Sequence, residues 1–285
     1  MSIENTVKAH YDHPDLIEET LRALRESGIE KDGITLDNIA VQDEFHIGGR
    51  PATEYLGCKM ALKPGSHVLD VGAGIGGPAR YLAATYDLKI RAIDLTPAFK
   101  DTSDYFCALL GLDDKISFDV GNALDMPYDD HEFDAAYTIH VGMNIQDKAK
   151  KYQEVFRTLK PGSSFTIYDI MRGPYDIMRG PDAGHLAYPL PWANDENSSF
   201  LETPEIVQTH LTHAGFQITG TEDRREFALS ALEKLCAKIK EGKHKRAARE
   251  NLLQKMENLK HNMERGLCAP WIITAAKPET GSTAE

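Results

Sequence analysis

Asp70-Val71-Gly72-Ala73-Gly74-Ile75-Gly76-Gly77-Pro78 decides how the rest of this 285-residue chain is read. A short apolar run, His67-Val68-Leu69, leads into it, and a helical pattern, Ala79 to Tyr86, leaves it. Strand, glycine loop, helix is the arrangement by which α/β sheets hold nucleotide-type ligands at the carboxyl ends of their strands. Glycines let the backbone turn sharply and bring its N–H groups close to a ligand. Pro78 suits a first helical turn, where its missing donor is not needed.

Gly72-x-Gly74-x-x-Gly77 also satisfies the dinucleotide fingerprint, and Asp94 lies 22 residues beyond Gly72. A nicotinamide dinucleotide is therefore an open alternative. Asp70 argues against it. A carboxylate two residues before the first glycine faces a pyrophosphate unfavourably and suits a cationic ligand, such as the ammonium end of S-adenosylmethionine. Ile93-Asp94-Leu95 closes the next strand, where Asp94 can accept hydrogen bonds from both ribose hydroxyls.

The net charge of −12 repels a polyanion at long range, which argues against nucleic acid as a partner. The densest basic run, Lys234 to Arg249, reads as the wet face of a helix. The four cysteines, Cys58, Cys107, Cys236 and Cys268, form no CxxC pair. That suits a reducing compartment and argues against a zinc site or a disulfide framework. No run of about 18 apolar residues and no signal-like amino terminus occur, so a cytoplasmic protein without membrane contact is expected.

Outward from the glycine loop, residues 1–62 read as a helical cap. Leu16, Ile17, Leu21 and Leu24 have helical spacing, with Gly28 as the stop. Ile34 to Ala40 is ambiguous, and Gly48-Gly49 precede a helix from Pro51 to Leu62. Residues 63–170 read as the ligand-binding core. Strands at Val68–Val71, Lys89–Leu95, Ile116–Val120, Phe133–Ile139 and Ser164–Ile170 alternate with helices at Ala98–Leu110, capped by Thr96, and at Asp147–Leu159. This predicts a mainly parallel, doubly wound sheet. Lys160-Pro161-Gly162 reads as a turn.

Residues 168–181 hold a tandem repeat, Tyr168–Pro174 then Tyr175–Pro181. The first copy should end the fifth strand and the second should lengthen the loop that follows. Residues 171–202 form a loop or lid on the ligand side. In 203–285 the pattern predicts a helix from Thr203-Pro204 to Ala214, a strand at Phe216–Thr221, and a helical insert over 226–265 broken at Glu241-Gly242. A last strand at Pro270–Ala276 and a disordered tail from Lys277 complete the chain.

Four motifs together resemble the class I S-adenosylmethionine-dependent methyltransferases: Leu69-Asp70-x-Gly72-x-Gly74-x-Gly76, Ile93-Asp94-Leu95, Gly121-Asn122-Ala123 and Leu159-Lys160-Pro161-Gly162. The resemblance covers roughly residues 63–170 and, loosely, 200–222. The stretches DEFHIGGRPAT (43–53) and HVGMNIQDKAK (140–150) resemble bacterial small-molecule enzymes of the sarcosine/dimethylglycine type. The resemblance implies a Rossmann-like sheet ordered 3-2-1-4-5-7-6 with the last strand antiparallel. The insert over 226–265 departs from the close hairpin that the family has there. By the same resemblance, Asp70 and the backbone of Gly72, Ala73 and Gly74 hold the amino-acid part of the cofactor. Asp94 takes the ribose, Leu95 and Ala123 flank the adenine, and Asn122 donates to it. Ile139 and His140 lie under the sulfonium.

Methyl transfer is an in-line displacement that needs alignment and water exclusion more than acid–base work. His46 and His140 are the candidate bases where a proton must leave. The acceptor expected first is the nitrogen of a glycine-derived or similar compact amine. Its carboxylate calls for the paired donors of an arginine, Arg50, Arg172 or Arg179, with Tyr188 and Trp192 closing over it. The alternatives are O- or C-methylation of an aromatic or polyketide-like metabolite, a dinucleotide-dependent reductase, and a catalytically idle interaction protein. No metal is expected. Leu229, Leu232, Leu235, Leu252, Leu253, Met256 and Leu259 either pack within the chain or make a homodimer face.

Overall fold

The computed structural model describes residue 4, residue 11 and residues 15–173, 184–243 and 251–279. Seven strands run through it: β1 (His67–Val71), β2 (Lys89–Asp94), β3 (Ile116–Val120), β4 (Phe133–Ile139), β5 (Leu159–Arg172), β6 (Gln217–Asp223) and β7 (Cys268–Ala276). They form one sheet in the order β3-β2-β1-β4-β5-β7-β6. The first five are parallel, and β7 lies antiparallel to both β5 and β6. This is the order and the strand direction implied by the sequence motifs.

Nine helices flank the sheet or cap it: α1 (Leu16–Glu26), α2 (Leu36–Asp43), α3 (Arg50–Met60), α4 (Gly77–Tyr86), α5 (Pro97–Leu109), α6 (Lys148–Thr158), α7 (Pro204–Ala214), α8 (Arg225–Lys240) and α9 (Leu252–Glu264) among the described residues. The parallel strands need crossovers, so apolar side chains cover both faces. On one side Tyr152 and Val155 of α6 and Leu211 of α7 pack on Phe165 and Ile273. On the other, Leu56 of α3 and Leu82 of α4 pack on Val68, Ile90 and Tyr137. A third apolar cluster joins α8 and α9 to the 184–202 segment.

Several local expectations change. The ambiguous stretch at Ile34 is the start of α2, because Thr35 and Asn38 form a capping box. Thr96 stands at the N-cap of α5 but makes no side-chain cap; its N–H instead donates to Asp94 Oδ1 at 3.1 Å. Lys160-Pro161-Gly162 is part of β5 rather than a turn before it. The register slips between Phe133 and Ala135, and Gly162, at φ +79°, takes up the irregularity. The tail is ordered at its start. Lys277 is buried, with Nζ donating to the carbonyls of Phe156 and Leu159 at 2.6 and 2.7 Å. The first repeat copy ends β5 at Arg172, as expected. The second copy, with Arg179, lies outside the described residues. No described helix is long and apolar enough to cross a membrane.

Candidate active site

The carboxyl ends of β1, β2 and β4 meet at one cavity of about 1000 Å³. Its wall holds Asp70, Gly72, Ala73, Gly74, Asp94, Leu95, Asn122, Ala123, Ile139, His140, His46, Arg50 and Trp192. Of the sixteen candidate site residues named from sequence, fifteen are described, and thirteen of these are thus brought together. Arg172 and Tyr188 are the exceptions. They line a separate hollow with Leu186, Asp195 and Leu201, and Arg172 Nη2 donates to the carbonyl of Gly184.

The glycine loop explains its own composition. A Cβ on Gly72 would stand 2.4 Å from Val141 Cγ2, and one on Gly77 would stand 2.5 Å from the backbone oxygen of Asp43. The first glycine lets the loop after β4 close over β1. The third lets the cap lie on the start of α4. Arg80 of α4 then pairs with Asp43 at 2.8 Å inside the protein. Sequence reasoning missed this buried pair because its partners are 37 positions apart.

Asp94 accepts from Gly74 N and Thr96 N, both at 3.1 Å, so it fixes the glycine loop and faces the cavity at once. Asp70 accepts from the Tyr137 hydroxyl at 2.8 Å. Burial pushes the Asp70 carboxyl up to about 7, against the Tyr137 hydrogen bond and with repulsion from Asp94 added. Burial pushes Asp94 up to about 6, against the backbone N–H groups that hold it down. No basic side chain contributes to the charge balance of Asp70. Asp70, buried, and Asp94, half-buried at the cavity, fit a cationic ligand, and a diphosphate would add to their repulsion. Asn122 Oδ1 accepts from Leu124 N at 2.9 Å, which makes Nδ2 its donor edge.

The two histidines stand close together, with ring centroids 6.0 Å apart. His140 ends β4 in the left-handed region, φ +52°, unusual for a residue with a side chain. Its Nδ1 accepts from Ile47 N at 3.4 Å. A neutral ring that accepts at Nδ1 carries its proton on Nε2. Nε2 is shut off from solvent and has no hydrogen-bond partner. Burial, and secondarily His46, pull the His140 pKa well below its usual value. His140 as placed turns its Nδ1 lone pair to the cap backbone. His46 Nε2 donates to the carbonyl of Gly49 at 3.0 Å, within its own loop.

Arg50 faces the cavity but is committed to the cap. Nε donates to Glu44 at 2.6 Å, Nη1 to Asp37 at 3.1 Å and Nη2 to the Leu36 carbonyl at 2.7 Å, and the guanidinium lies 4.2 Å from the Tyr81 ring centroid. Thr53 Oγ1 donates to the other Glu44 oxygen at 2.6 Å. Burial raises the Glu44 pKa; Thr53 and Arg50 oppose it. Among the described residues no group of three or more His, Cys, Asp or Glu could hold a metal ion.

The rest of the wall was not foreseen. Met143, Ile170, Leu232, Leu235, Met256 and Leu259 line it, four of them from α8 and α9. The apolar spacing of these helices was legible, but spacing alone does not say which surface a helix faces.

Residues 69–167 match the methyltransferase domain family. The chain carries a class I S-adenosylmethionine-dependent methyltransferase domain. Around this domain, the chain is 32% identical over 196 residues to phosphoethanolamine N-methyltransferase of Triticum aestivum, covering 69% of this chain and 37% of that protein. It spans about two fifths of the length of such curated relatives. Solved structures that share its fold include two of known description. Geranyl diphosphate C-methyltransferase of Streptomyces coelicolor A3(2) superposes with a TM-score of 0.71 at 15% identity, over 97% of this chain and 98% of that one. A putative sarcosine dimethylglycine methyltransferase of Galdieria sulphuraria gives 0.65 at 20% identity, over 80% and 85%. At these identities the likeness is one of fold. The methyltransferase domain ends within β5, so α8 and α9 lie outside it.

Proposed function

We propose that this protein transfers a methyl group from S-adenosylmethionine to a small-molecule acceptor. The observation that carries this reading is the pair Asp70 and Asp94. They stand at neighbouring strand ends on one cavity wall, Asp70 buried and Asp94 half-buried, both raised above the ordinary carboxylate range, and among the described residues no basic side chain offsets Asp70. Asp70 would receive the ammonium group, Asp94 the ribose hydroxyls, and Asn122 Nδ2 an adenine ring nitrogen between Leu95 and Ala123. Ile139 and His140 would lie beneath the reacting centre. Bound S-adenosylmethionine supplies an electrophilic methyl carbon, whose carbon–sulfur bond breaks as the acceptor's electron pair forms the new bond.

A glycine-derived amine is the less favoured acceptor. Its carboxylate needs an arginine that presents paired donors to the cavity, whereas Arg172 lines a separate hollow and Arg50 is ion-paired to Glu44 and Asp37. The O- or C-methylating alternative, on a molecule with an apolar body, suits the wall better. His140 turns Nδ1 to the Ile47 N–H, while His46, donating through Nε2 to Gly49, has Nδ1 as its acceptor nitrogen; alignment and water exclusion remain the main demands of the reaction.

Calorimetry with S-adenosylhomocysteine and with NADH tests the cofactor assignment. Saturable binding of the first alone is expected. Tight binding of NADH with none of S-adenosylhomocysteine would overturn it, and would restore the reductase reading.

A further inference from the structure

We propose that the inner chamber of the cavity selects an uncharged acceptor with an apolar body, and that α8, α9 and Trp192 are the elements that select it. The inference rests on the methyl-transfer reading of the same cavity and names its substrate class.

The chamber walls carry the argument. Leu232 and Leu259 are each 1% exposed, and Trp192 and Ile170 are each 3% exposed, yet all four face the cavity. Met143 and Met256 stand beside them, thioethers that adapt to irregular apolar shapes. The indole N–H of Trp192 already donates to Ser199 Oγ at 3.0 Å, so its ring carbons are what it offers. His140 is neutral, with Nδ1 engaged by the cap backbone. Arg50 and Glu44 neutralise each other at 2.6 Å. Asp70 and Asp94 belong to the cofactor end.

Glu4, Asp37, Asp43 and Asp147 also border the cavity, as do two charges of α8, Lys234 and Lys238. Both are exposed, with their ammonium groups in water and their methylene stems left to extend the apolar rim. An acceptor whose carboxylate or ammonium group lay against Leu232, Leu259, Trp192 and Ile170 would have to desolvate it there, which is strongly unfavourable.

The test uses the full chain, with and without saturating S-adenosylhomocysteine, and reads tryptophan fluorescence, since Trp192 stands in the wall. The probes are butan-1-ol, hexan-1-ol and octan-1-ol, with hexanoate, hexylammonium and sarcosine for comparison. Affinity should rise about three- to fourfold for each added methylene of the alcohols. Hexanoate and hexylammonium should bind at least tenfold more weakly than hexan-1-ol, and sarcosine should not saturate. Leu232→Trp should abolish the dependence on chain length while leaving S-adenosylhomocysteine affinity within twofold.

Hexanoate binding more tightly than hexan-1-ol would overturn the proposal in favour of an anion site at Lys234 and Lys238. Saturable sarcosine binding tighter than that of octan-1-ol would overturn it in favour of a compact amine, and a flat alcohol series would overturn it outright. The comparison of neutral and charged probes on the unaltered chain decides the matter even where Leu232→Trp fails to fold. Loss of S-adenosylhomocysteine binding alone would strike the methyl-transfer reading; the alcohol series without that ligand would still judge the chamber.

Discussion

Asp70 meets two opposing demands, since burial favours its acid form and a cationic ligand favours its anion. With its pKa pushed up to about 7, the ligand-free site is partly protonated at neutral pH. S-adenosylhomocysteine should therefore bind more tightly as pH rises from 5.5 to 8, with proton release near pH 7 seen by calorimetry in buffers of different ionisation heat. Asp70→Asn should weaken binding and flatten this pH dependence; an unchanged slope would remove Asp70 from the ammonium site. At Asp94, loss of charged hydrogen bonds, each worth about 1.5–3 kcal/mol, should make Asp94→Ala bind at least about tenfold more weakly. Glycine-loop N–H groups lose a partner in the same variant, so Asp94→Asn should fall between the two.

The insert owes its place to polar contacts as well as apolar ones. Asn262 of α9 is fully buried, and its amide accepts from Ala187 N at 2.8 Å and donates to Ala187 O at 3.0 Å. Asn258 Nδ2 donates to the Pro189 carbonyl at 3.0 Å. These bonds hold the 184–202 segment, and with it Trp192, against the insert. Asn262→Leu leaves a backbone donor and acceptor unpaired at a cost of about 1–3 kcal/mol each. It should speed hydrogen exchange around Ala187 while exchange in β1 and β4 stays slow; uniform loss of protection would mean global destabilisation instead. The repeat belongs to this scale too. Since β5 ends within the first copy, deleting Tyr175–Pro181 should leave expression and melting temperature unchanged, checked by calorimetric melting of the shortened chain.

For the whole molecule, the site's charges set how stability depends on pH. Asp70 and Asp94 have raised pKa values in the fold, near 7 and 6, against an ordinary value of 3.8. The folded state therefore binds more protons than the unfolded one across pH 4 to 7, and these groups remove stability as pH rises through that window. His140 has the opposite sign. Its pKa lies below 6.5 in the fold, so its contribution is lost as pH falls below 6.5. Relative to the unaltered protein, ligand-free Asp70→Asn should melt higher at pH 8 and equally at pH 4. A constant offset at both values would show that the substitution acts through packing. Of the residues offered as a dimer face, Leu232, Met256 and Leu259 are buried in an apolar cluster within the chain, and Leu229, Leu235, Leu252 and Leu253 pack against it partly buried.

The glycine loop and the acidic strand ends were legible in the sequence because each is local, whereas the strand order, which is not local, followed only from the family resemblance that these motifs carry. A glycine at a fixed offset, a carboxylate closing an apolar run and a cap residue before a helix act over a few positions, and Asp70, Gly72 and Asp94 fall where such rules place them. Whether Arg50 and His140 are available to a ligand was not legible, because availability depends on partners brought in from elsewhere: Glu44, Asp37 and Leu36 for one, Ile47 for the other. The acceptor end lay further still from the reach of sequence. Apolar positions 232, 235, 256 and 259 announce a buried helical face, but only packing of α8 and α9 beside β5 and β7 turns that face into the wall of a chamber.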